Sequence, residues 1–474
     1  MLFSSLTFIF FFLPLVFLLH WALKKEFRNI FLLISSLIFF FWGEQKQFWV
    51  FILSIFLNYL IVKLIVYLKD SKLKKALLVF GIILDVGFLA VFKYLNFFTT
   101  NLNQLNSSVT PTNLILPVGI SFFIFHEISL LVDIYKSEKD NQKPDVSLVN
   151  TFLYISLFPQ LIAGPIVKYR EIIDQLKDRV FSSKDLRYGI ERFIVGLSKK
   201  VLIADQIGLS VNQIFDKDLA NWTNSEAVIF ALGYSLQIYF DFSGYSDMAI
   251  GLGKMFGFTF IENFNYPYVS KSIGEFWRRW NISLGSWFRE YIYIPLGGNR
   301  VSKLKGVRNL AIIFLITGIW HGASWTFIIW GIWHGFWAIA ERLGLSVLLK
   351  KTPAIIQIFY TLVIVQIGWV FFRSSNPKQA LKILYKIFQF ILKPEFKFNL
   401  SSDTIIIFIF AIIFAFPWWQ VLAQKLEFLK KYKWHKYLTL SNNFIKGFSL
   451  LTLFLFTLIF IISTTQNAFI YFQF

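Results

Sequence analysis

Residues 317–337 read TGIWHGASWTFIIWGIWHGFW, an apolar segment in which the pentapeptide GIWHG occurs twice. Each of its histidines, His321 and His334, lies inside a G-x-x-x-G pattern. Small residues at this spacing let two helix backbones approach closely in a membrane. The chain has only five histidines, so two in one apolar segment indicate a special environment that the fold has to provide.

The composition is that of a membrane protein. Of the 474 residues, 56% are hydrophobic and the mean hydropathy is +0.59, whereas soluble proteins are about 45–50% apolar. Apolar runs of roughly 18 or more residues indicate membrane-spanning helices, and the chain contains many such runs. We therefore predict an all-α polytopic membrane protein.

The net charge of +20 does not indicate a nucleic-acid-binding protein. Such proteins gather lysine and arginine on one soluble face. Here these residues lie in short loops between apolar segments, as the positive-inside rule predicts for a protein embedded in a lipid bilayer. The chain has no cysteine, which excludes disulfides, a thiolate nucleophile and a cysteine-based metal site.

Hydropathy predicts about 11–13 membrane-embedded helices. The first apolar segment has no basic start and no cleavage site, so we expect it to be retained as a span rather than removed as a signal peptide. The predicted spans lie near residues 2–23, 30–43, 48–67, 76–95, 115–134, 149–167, 226–240, 308–320, 322–340, 355–372, 404–422 and 447–464.

The charges of the loops predict the orientation. Loops 24–29 and 68–75 are basic and loop 135–146 carries several lysines, whereas loop 99–114 has no charge. Under the positive-inside rule the basic loops are cytoplasmic. The N-terminus is then expected on the outer side of the membrane.

We expect a single domain over residues 1–474. Residues 1–167 and 308–474 hold N-terminal and C-terminal spans, and residues 168–307 form a more polar, amphipathic middle that could lie at the membrane surface. Within it, residues 268–300 are too polar to span and too aromatic for a free loop. Broken or re-entrant helices occur at membrane depth only where protein or a water-filled cavity surrounds them, so this region is expected to line a site.

The two histidines of the opening stretch are candidates for chemistry, because ionisable side chains inside membranes are often functional. They are 13 residues apart. On one straight helix this spacing gives about 220° of rotation and about 20 Å of rise, so the rings would not act as a pair. The alternative is that both are buried rings hydrogen-bonded to neighbouring helices.

Two further clusters place charge among aromatic residues. EFWRRWNISLGSWFRE at 275–290 contains Arg278, Arg279 and Asn281, and the alternative to a site is an interfacial helix whose arginines reach the lipid head groups. QIYFDFSGYSDMAIGLGKMFG at 237–257 contains two aspartates. No histidine or further carboxylate lies at ligand spacing there, so we expect no metal site.

Isolated polar residues also occur inside predicted spans. Asp85 lies in the fourth span, and His126 and Glu127 lie in the fifth. Structural hydrogen bonds between helices are the role that we expect for them.

Taken together, these motifs resemble the membrane-bound O-acyltransferase family. The resemblance is in particular to its bacterial branch, which includes the membrane subunits for O-acetylation of alginate and peptidoglycan, and it runs nearly end to end. Besides the opening stretch, the motifs that carry it are MLFSSLTFIFFFLPL at 1–15, FKYLNFF at 92–98, LPVGISFFIFHEISLLVDIY at 116–135, FPQLIAGPIVKY at 158–169, YFDFSGYSDMAIGLGKMFGF at 239–258, FWRRWNISLGSWFREYIYIPLGGNR at 276–300 and NAFIYFQF at 467–474.

The resemblance implies a funnel-shaped helical fold with a central tunnel, built partly from broken or re-entrant helices. It also implies that the catalytic histidine of the family's W-H-G element is His321. The second polar position of the family, in an R-W-H element, corresponds to Asn281, where the bacterial branch usually has histidine. More distant members use asparagine together with the histidine, so Asn281 is expected to orient the acceptor hydroxyl or to stabilise an oxyanion through its amide.

The remaining residues of these clusters are expected to support the site or line the tunnel. His334 is expected to be a supporting ring rather than the catalytic one. The other supporting positions are Arg278, Arg279, Trp280, Trp320, Gly322, Asp241 and Ser243.

The predicted reaction is acyl transfer from a thioester to a hydroxyl, in which a neutral imidazole takes the hydroxyl proton at physiological pH. The resemblance implies a cytoplasmic donor, acetyl-CoA or an acyl carrier thioester, with no tightly bound cofactor. It further implies a bacterial inner-membrane location and a periplasmic SGNH-type O-acetyltransferase or esterase-like partner that modifies peptidoglycan or an exported polysaccharide.

Two alternatives remain open. A D-alanyl transferase of the same fold, acting on teichoic acid with an acyl carrier protein, is the nearer one. A transporter or flippase would also have broken helices and charge inside the membrane, but the sequence shows no paired half-repeats.

Overall fold

The structure is a computed structural model, and its described residues are helices joined by turns and short extended segments. The predicted motif at 467–474 lies outside the described residues, as do parts of the predicted loop 135–146 and the ends of the predicted spans 404–422 and 447–464. The described residues are 1–139, 146–180, 182–397, 400–418 and 435–463.

The helices of the N-terminal region match five of the six spans predicted there. One π-helical turn precedes α1 and a second joins α4 to α5. The bounds are Phe8–Phe12 for the first turn, Leu13–Ala22 (α1), Arg28–Gly43 (α2), Phe48–Tyr67 (α3), Ser71–Leu89 (α4), Ala90–Tyr94 for the second turn, Leu95–Leu105 (α5), Ile120–Lys139 (α6), Leu148–Ser156 (α7) and Phe158–Leu161 (α8).

The middle and C-terminal regions continue the helical chain. Their bounds are Tyr169–Lys177 (α9), Ser183–Ser198 (α10), Asp205–Phe215 (α11), Asn224–Met255 (α12), Ile273–Arg279 (α13), Ile282–Phe288 (α14), Lys303–His321 (α15), Trp325–Ala340 (α16), Ser346–Leu349 (α17), Ala354–Arg373 (α18), Pro377–Leu392 (α19), Ser402–Phe414 (α20) and His435–Ser463 (α21).

Five helices of the described chain are long and apolar enough to cross a membrane. The helices α6, α12, α15 and α16 cover further predicted spans but are shorter or carry more charge. Two shorter apolar helices, Phe8–Ala22 and Ser402–Phe414, complete the set. The five long segments are Lys25–Gly43, Phe48–Tyr67, Ser71–Leu105, Ala354–Arg373 and Phe444–Ser463.

The predicted span at 149–167 is wrong as a single helix. The chain leaves helical geometry at Leu157, α8 is four residues long, and Pro159 has no N–H to continue the hydrogen-bond ladder of α7. The Ser36 hydroxyl accepts from the Phe158 N–H at 3.2 Å instead. Residues 151–169 are all buried, so surrounding protein satisfies a broken backbone that lipid would not tolerate.

The middle region is organised by α12, which continues for 32 residues, well beyond its predicted span. Helix α10 lies against it at very short range. A Cβ atom added to Gly251 would lie 2.6 Å from the Gly189 carbonyl oxygen, and one added to Gly196 would lie 2.6 Å from the Gly244 carbonyl oxygen. Glycine pairs on both helices therefore allow backbone contact between α10 and α12.

The five N-terminal spans that the structure confirms are joined at two opposite ends of the molecule. One end carries the basic loops 24–29 and 68–75, and we name it the basic end. There Lys74 forms an ion pair with Glu138 at 2.8 Å. At the opposite end, which we name the neutral end, the chain turns at residues 44–47 and 106–119. There Gln47 donates to the Ile115 carbonyl oxygen at 3.4 Å. Which of the two ends is cytoplasmic stays a prediction.

Polar residues of α3 hold the two buried acids of α4 and α6. Asn58 donates to an Asp85 carboxyl oxygen at 2.7 Å, and Ser54 donates to a Glu127 carboxyl oxygen at 2.9 Å. All four side chains are fully buried. The predicted hydrogen bonds between helices are confirmed for both acids. The prediction is wrong for His126, because neither of its ring nitrogens has a hydrogen-bond partner within the described chain.

Candidate functional site

His321 is the last residue of α15, and the turn that follows it decides its surroundings. Gly322 leaves helical geometry, and the Ser324 hydroxyl caps α16 by accepting from the Thr326 N–H at 3.3 Å. His334 therefore lies on a different helix, folded back against α15. The rotation and rise calculated for one straight helix do not apply, because the chain turns between the two histidines.

The repeated glycines bring these two helices into backbone contact. A Cβ atom added to Gly318 would lie 2.6 Å from the Phe327 carbonyl oxygen, and one added to Gly331 would lie 2.5 Å from the Phe314 carbonyl oxygen. Gly318 and Gly331 also face each other, because an added Cβ on either would lie 3.1 Å or less from the Cα of the other. The close approach that the G-x-x-x-G patterns predict is confirmed.

Aromatic rings surround the imidazole of His321, whose residue is 5% exposed. Its ring centroid lies 4.8 Å from that of Trp330 and 5.0 Å from that of Phe372, both in edge-to-face geometry. The Trp320 ring lies 4.8 Å away at a tilt. Rings packed on several sides restrict the rotamers of the imidazole and exclude lipid from it.

The second histidine contacts the opposite part of the same aromatic group. His334 is fully buried, with its centroid 5.1 Å from Trp330 and 5.0 Å from Trp277. Neither of its nitrogens hydrogen-bonds within the described chain. The hypothesis of a ring hydrogen-bonded to neighbouring helices is therefore wrong for His334 there, and packing is what holds it.

Asn281 lies at a break between two seven-residue helices, α13 and α14. Its backbone is left-handed, with φ 45° and ψ 55°, a conformation that asparagine adopts more readily than most residues. The residue is 4% exposed. A broken, buried segment is what a re-entrant site requires and what an interfacial helix would not show.

A hydrogen-bonded support fixes this break against α12. The carbonyl oxygen of Asn263 accepts from the Ile282 N–H at 3.0 Å. Its side-chain oxygen accepts from the Ser283 hydroxyl at 2.9 Å, and its amide donates to the Ser246 hydroxyl of α12 at 3.0 Å. The position of the Asn281 backbone is thus set by the core helix.

A cluster of aromatic rings connects Asn281 to His321. Trp280, next to Asn281 and 2% exposed, lies 4.8 Å from Trp369 between centroids. Trp369 in turn lies 5.4 Å from Phe372, which contacts the His321 ring. We name Trp280, Trp330, Trp369 and Phe372 the aromatic cluster. His321 therefore contacts this cluster directly, and Asn281 is the chain neighbour of one of its rings.

The other predicted supporting residues divide into several environments. Arg279 is half-buried, with its Nε 2.8 Å from a Glu275 carboxyl oxygen, whereas Arg278 is exposed. Asp241 is buried and its carboxyl oxygen lies 2.8 Å from the Lys200 ammonium. Asp241 is thus part of an ion pair between α12 and the segment before α11. Among the described residues, no group of acidic residues and histidines could hold a metal ion.

Ser243 lines a cavity of about 1090 Å³ between α10, α12, α20 and α21. One part of the wall is charged, with Arg192 and Lys199 both paired to Asp247 at 2.6 Å. The wall also includes Ile282, the residue after Asn281, but neither Asn281 nor His321 itself. A cavity of this size exceeds most small-molecule sites.

Sequence reasoning missed Lys93. This lysine is 8% exposed and its ammonium donates to the Trp320 carbonyl oxygen at 2.6 Å. A charged residue inside the apolar motif at 92–98 was visible in the sequence. Its partner was not, because it lies 227 residues further along the chain.

These features define a helical membrane protein with a buried histidine against an aromatic cluster and a buried asparagine at a helix break beside one of the cluster's rings. The sequence model of the membrane-bound O-acyltransferase family matches residues 37–373. The chain belongs to this family and is an O-acyltransferase.

Individual relatives cover most of the chain. It is 36% identical to the peptidoglycan O-acetyltransferase of Helicobacter pylori, over 100% of this chain and 98% of that protein. It is 39% identical to the probable alginate O-acetylase AlgI of Azotobacter vinelandii, over 82% of this chain and 78% of that protein. The teichoic acid D-alanyltransferase of Bacillus subtilis is 31% identical over 45% of this chain and 56% of that protein.

Proposed function

We propose that this O-acyltransferase moves an acetyl group from a cytoplasmic thioester to a hydroxyl on the periplasmic side, for O-acetylation of peptidoglycan or an exported polysaccharide. The observation that carries the proposal is the similarity over 100% of the chain to a peptidoglycan O-acetyltransferase. The similarity to a teichoic acid D-alanyltransferase covers only 45%, which makes D-alanyl transfer the second candidate.

The proposed chemistry uses His321 as the base. Its neutral imidazole takes the proton of the acceptor hydroxyl while the hydroxyl oxygen bonds to the acyl carbon. The carbon–sulfur bond of the thioester then breaks, and the ring returns the proton to the departing thiolate. Asn281, next to Trp280 in the chain, orients the hydroxyl or donates its amide to the oxyanion.

Contacts of the α15–α16 turn support a site open toward the periplasm. Trp325 donates to the Asn101 side chain at 3.2 Å, and Asn101 lies near the end of α5 that leads into the uncharged loop. Under the positive-inside rule this neutral end is periplasmic. We accordingly propose a bacterial inner-membrane location with the N-terminus in the periplasm.

The proposed donor is acetyl-CoA, or alternatively an acyl carrier thioester, without a tightly bound cofactor. The large cavity supports entry of a donor from the basic end. Trp21, next to a basic loop, donates to the Met255 carbonyl oxygen at 3.0 Å, and the charged wall of the cavity lies about two turns from Met255 on α12. The proposed partner is a periplasmic SGNH-type O-acetyltransferase or esterase-like protein.

The test compares bacteria that lack this gene with bacteria that regain it. Mild alkali releases ester-linked groups from isolated peptidoglycan and polysaccharide, and both acetate and D-alanine are measured in the released fraction. We expect acetate to disappear on deletion and to return with the wild-type gene, but not with His321→Ala at equal protein level. Loss of D-alanine with unchanged acetate would contradict acetyl transfer and establish the second candidate.

A purified system tests the donor. Proteoliposomes receive radiolabelled acetyl-CoA on the side of the basic loops, together with the periplasmic partner or a soluble hydroxyl acceptor on the other side. We expect labelled ester to form only with wild-type protein. Label transferred from an acyl carrier thioester but not from acetyl-CoA would replace the proposed donor.

A further inference from the structure

The C-terminal end of α15 is fastened by two consecutive residues of a distant segment. The last four carbonyl groups of an α-helix have no partner within the helix, and in a membrane such groups need protein partners. The Tyr94 hydroxyl donates to the Ile319 carbonyl oxygen at 2.5 Å, and the Lys93 ammonium donates to the Trp320 carbonyl oxygen at 2.6 Å. Both donors lie in the π-helical turn between α4 and α5, a kind of turn that is frequent at functional sites.

The charge of Lys93 is directed at this helix end. Its ammonium also donates to the Ser121 hydroxyl at 3.0 Å and lies 5.6 Å from the centroid of the Trp320 ring. None of the ion pairs within the described chain includes Lys93. A buried cation without a carboxylate partner is stabilised here by the negative end of the α15 dipole and by the carbonyl oxygen that it binds.

The bonded carbonyl group is the one that carries the histidine. The Trp320 carbonyl, the His321 nitrogen and the His321 Cα belong to one rigid peptide plane. Gly322 has already left the helix, so no further helical turn holds His321 from the other side. A contact that fixes the Trp320 carbonyl therefore fixes the point from which the imidazole projects.

We propose that Lys93 is a positioning residue for His321: it holds the Trp320–His321 peptide plane so that the imidazole meets the acceptor hydroxyl. This inference rests on the proposed role of His321 as the base. Lys93 lies in the N-terminal half of the chain. Its hydrogen bonds connect the turn after α4 to α6 and to α15.

The test measures transfer kinetics and hydrogen exchange on folded, purified protein. Lys93→Met removes the donor and the charge, and we expect kcat to fall about 10- to 100-fold, because a small misplacement of a catalytic group has effects of this size. The KM for the donor is expected to stay within about twofold. Amide exchange in a peptide covering residues 317–322 should become faster, because the end of α15 loses a partner.

Matched variants separate positioning from general stability. Lys93→Arg retains a charged donor and should restore part of kcat and of the exchange protection. Lys63→Met, which removes an exposed lysine from α3, should change neither. If Lys93→Met does not fold, Lys93→Gln serves instead; its side chain is one bond shorter, so the contact with Trp320 is again lost and kcat should again fall.

Several outcomes would overturn the inference. A folded Lys93→Met or Lys93→Gln variant with wild-type kcat and wild-type exchange would contradict it. A variant with a lower yield of protein but an unchanged kcat per folded molecule would also contradict it. The exchange measurement also separates this inference from the proposed function. Faster exchange at residues 317–322 together with an active His321→Ala enzyme would uphold the contact but remove His321 as the base.

Discussion

Trp330 contacts both histidines of the repeated pentapeptide, whose surroundings differ. His321 contacts one part of the aromatic cluster at a helix end, beside a turn that leads to the neutral end of the molecule. His334 lies in the middle of α16, fully buried between Trp277 and Trp330. Identical pentapeptides thus occupy unlike environments, because one copy ends a helix and the other does not.

The two histidine variants are expected to differ in kind. His321→Ala should fold and insert but lose transfer by about 10²–10⁴-fold, the usual effect of removing a general base. His334→Ala should retain transfer and lose about 2 kcal/mol of stability, because a buried ring is replaced by a cavity. Ester-linked acetate in cells and thermal unfolding of purified protein check the two expectations. An active His321→Ala enzyme would remove the catalytic assignment.

Substitutions of Asn281 can separate the contribution of its side-chain amide to kcat from that of its left-handed backbone. Asn281→Gly adopts the left-handed backbone freely but has no amide, and we expect kcat to fall about 10²–10³-fold. Asn281→His, the residue usual in this position of the bacterial branch, should keep substantial activity. Asn281→Leu should lose activity and some stability, because a branched side chain is strained at positive φ. Unchanged kcat in the glycine variant would place Asn281 outside the reaction.

The closest contacts between helices occur at glycine residues. The G-x-x-x-G patterns of α15 and α16 were readable from the sequence, and so were most spans, because long apolar runs have one stable arrangement in lipid. The break at 157–168 was signalled in the sequence by Pro159 and Pro165, which cannot donate helical hydrogen bonds, but the prediction of one span over 149–167 did not use this signal. What the sequence did not show is the protein that buries this segment, including Ser36, which accepts a hydrogen bond from the interrupted backbone.

A methyl group added between these helices should displace His321. Gly331→Ala places a Cβ atom 2.5 Å from the Phe314 carbonyl oxygen, and forcing the helices apart should cost about 1–3 kcal/mol. Transfer should fall as well, because His321 ends the displaced helix. Gly87→Ala is the control, since nothing lies within 4 Å of an added Cβ there. Thermal unfolding and transfer assays distinguish the two variants, and equal behaviour would show that α15 and α16 tolerate separation.

At the scale of the whole molecule, the loops at the two ends of the N-terminal helices differ in charge, and this difference predicts which end faces the cytoplasm. The family, the span pattern and the candidate histidine were all accessible from the sequence. The aromatic cluster, the support from Asn263 and the contact of Lys93 with Trp320 were not. Each of these joins residues far apart in the chain, and no local pattern records such a pairing.

The orientation can be tested with single cysteines, since the chain has none. Asn106→Cys, in the exposed uncharged loop, should react with a membrane-impermeant maleimide in intact cells. Lys72→Cys, at the exposed start of α4, should react only after the membrane is opened. The reverse pattern would invert the proposed orientation and exchange the sides of donor and acceptor.

The hydrogen bonds that α3 makes with α4 and α6 have a consequence for biosynthesis. An acidic side chain at the centre of a membrane helix raises the free energy of insertion by about 2.5–3.5 kcal/mol, and Asp85 and Glu127 would each impose this on their own helix. Helix α3 is synthesised before both. Each acid therefore enters the membrane after the Asn58 or Ser54 that will shield it, so the order of translation supplies every partner before it is needed.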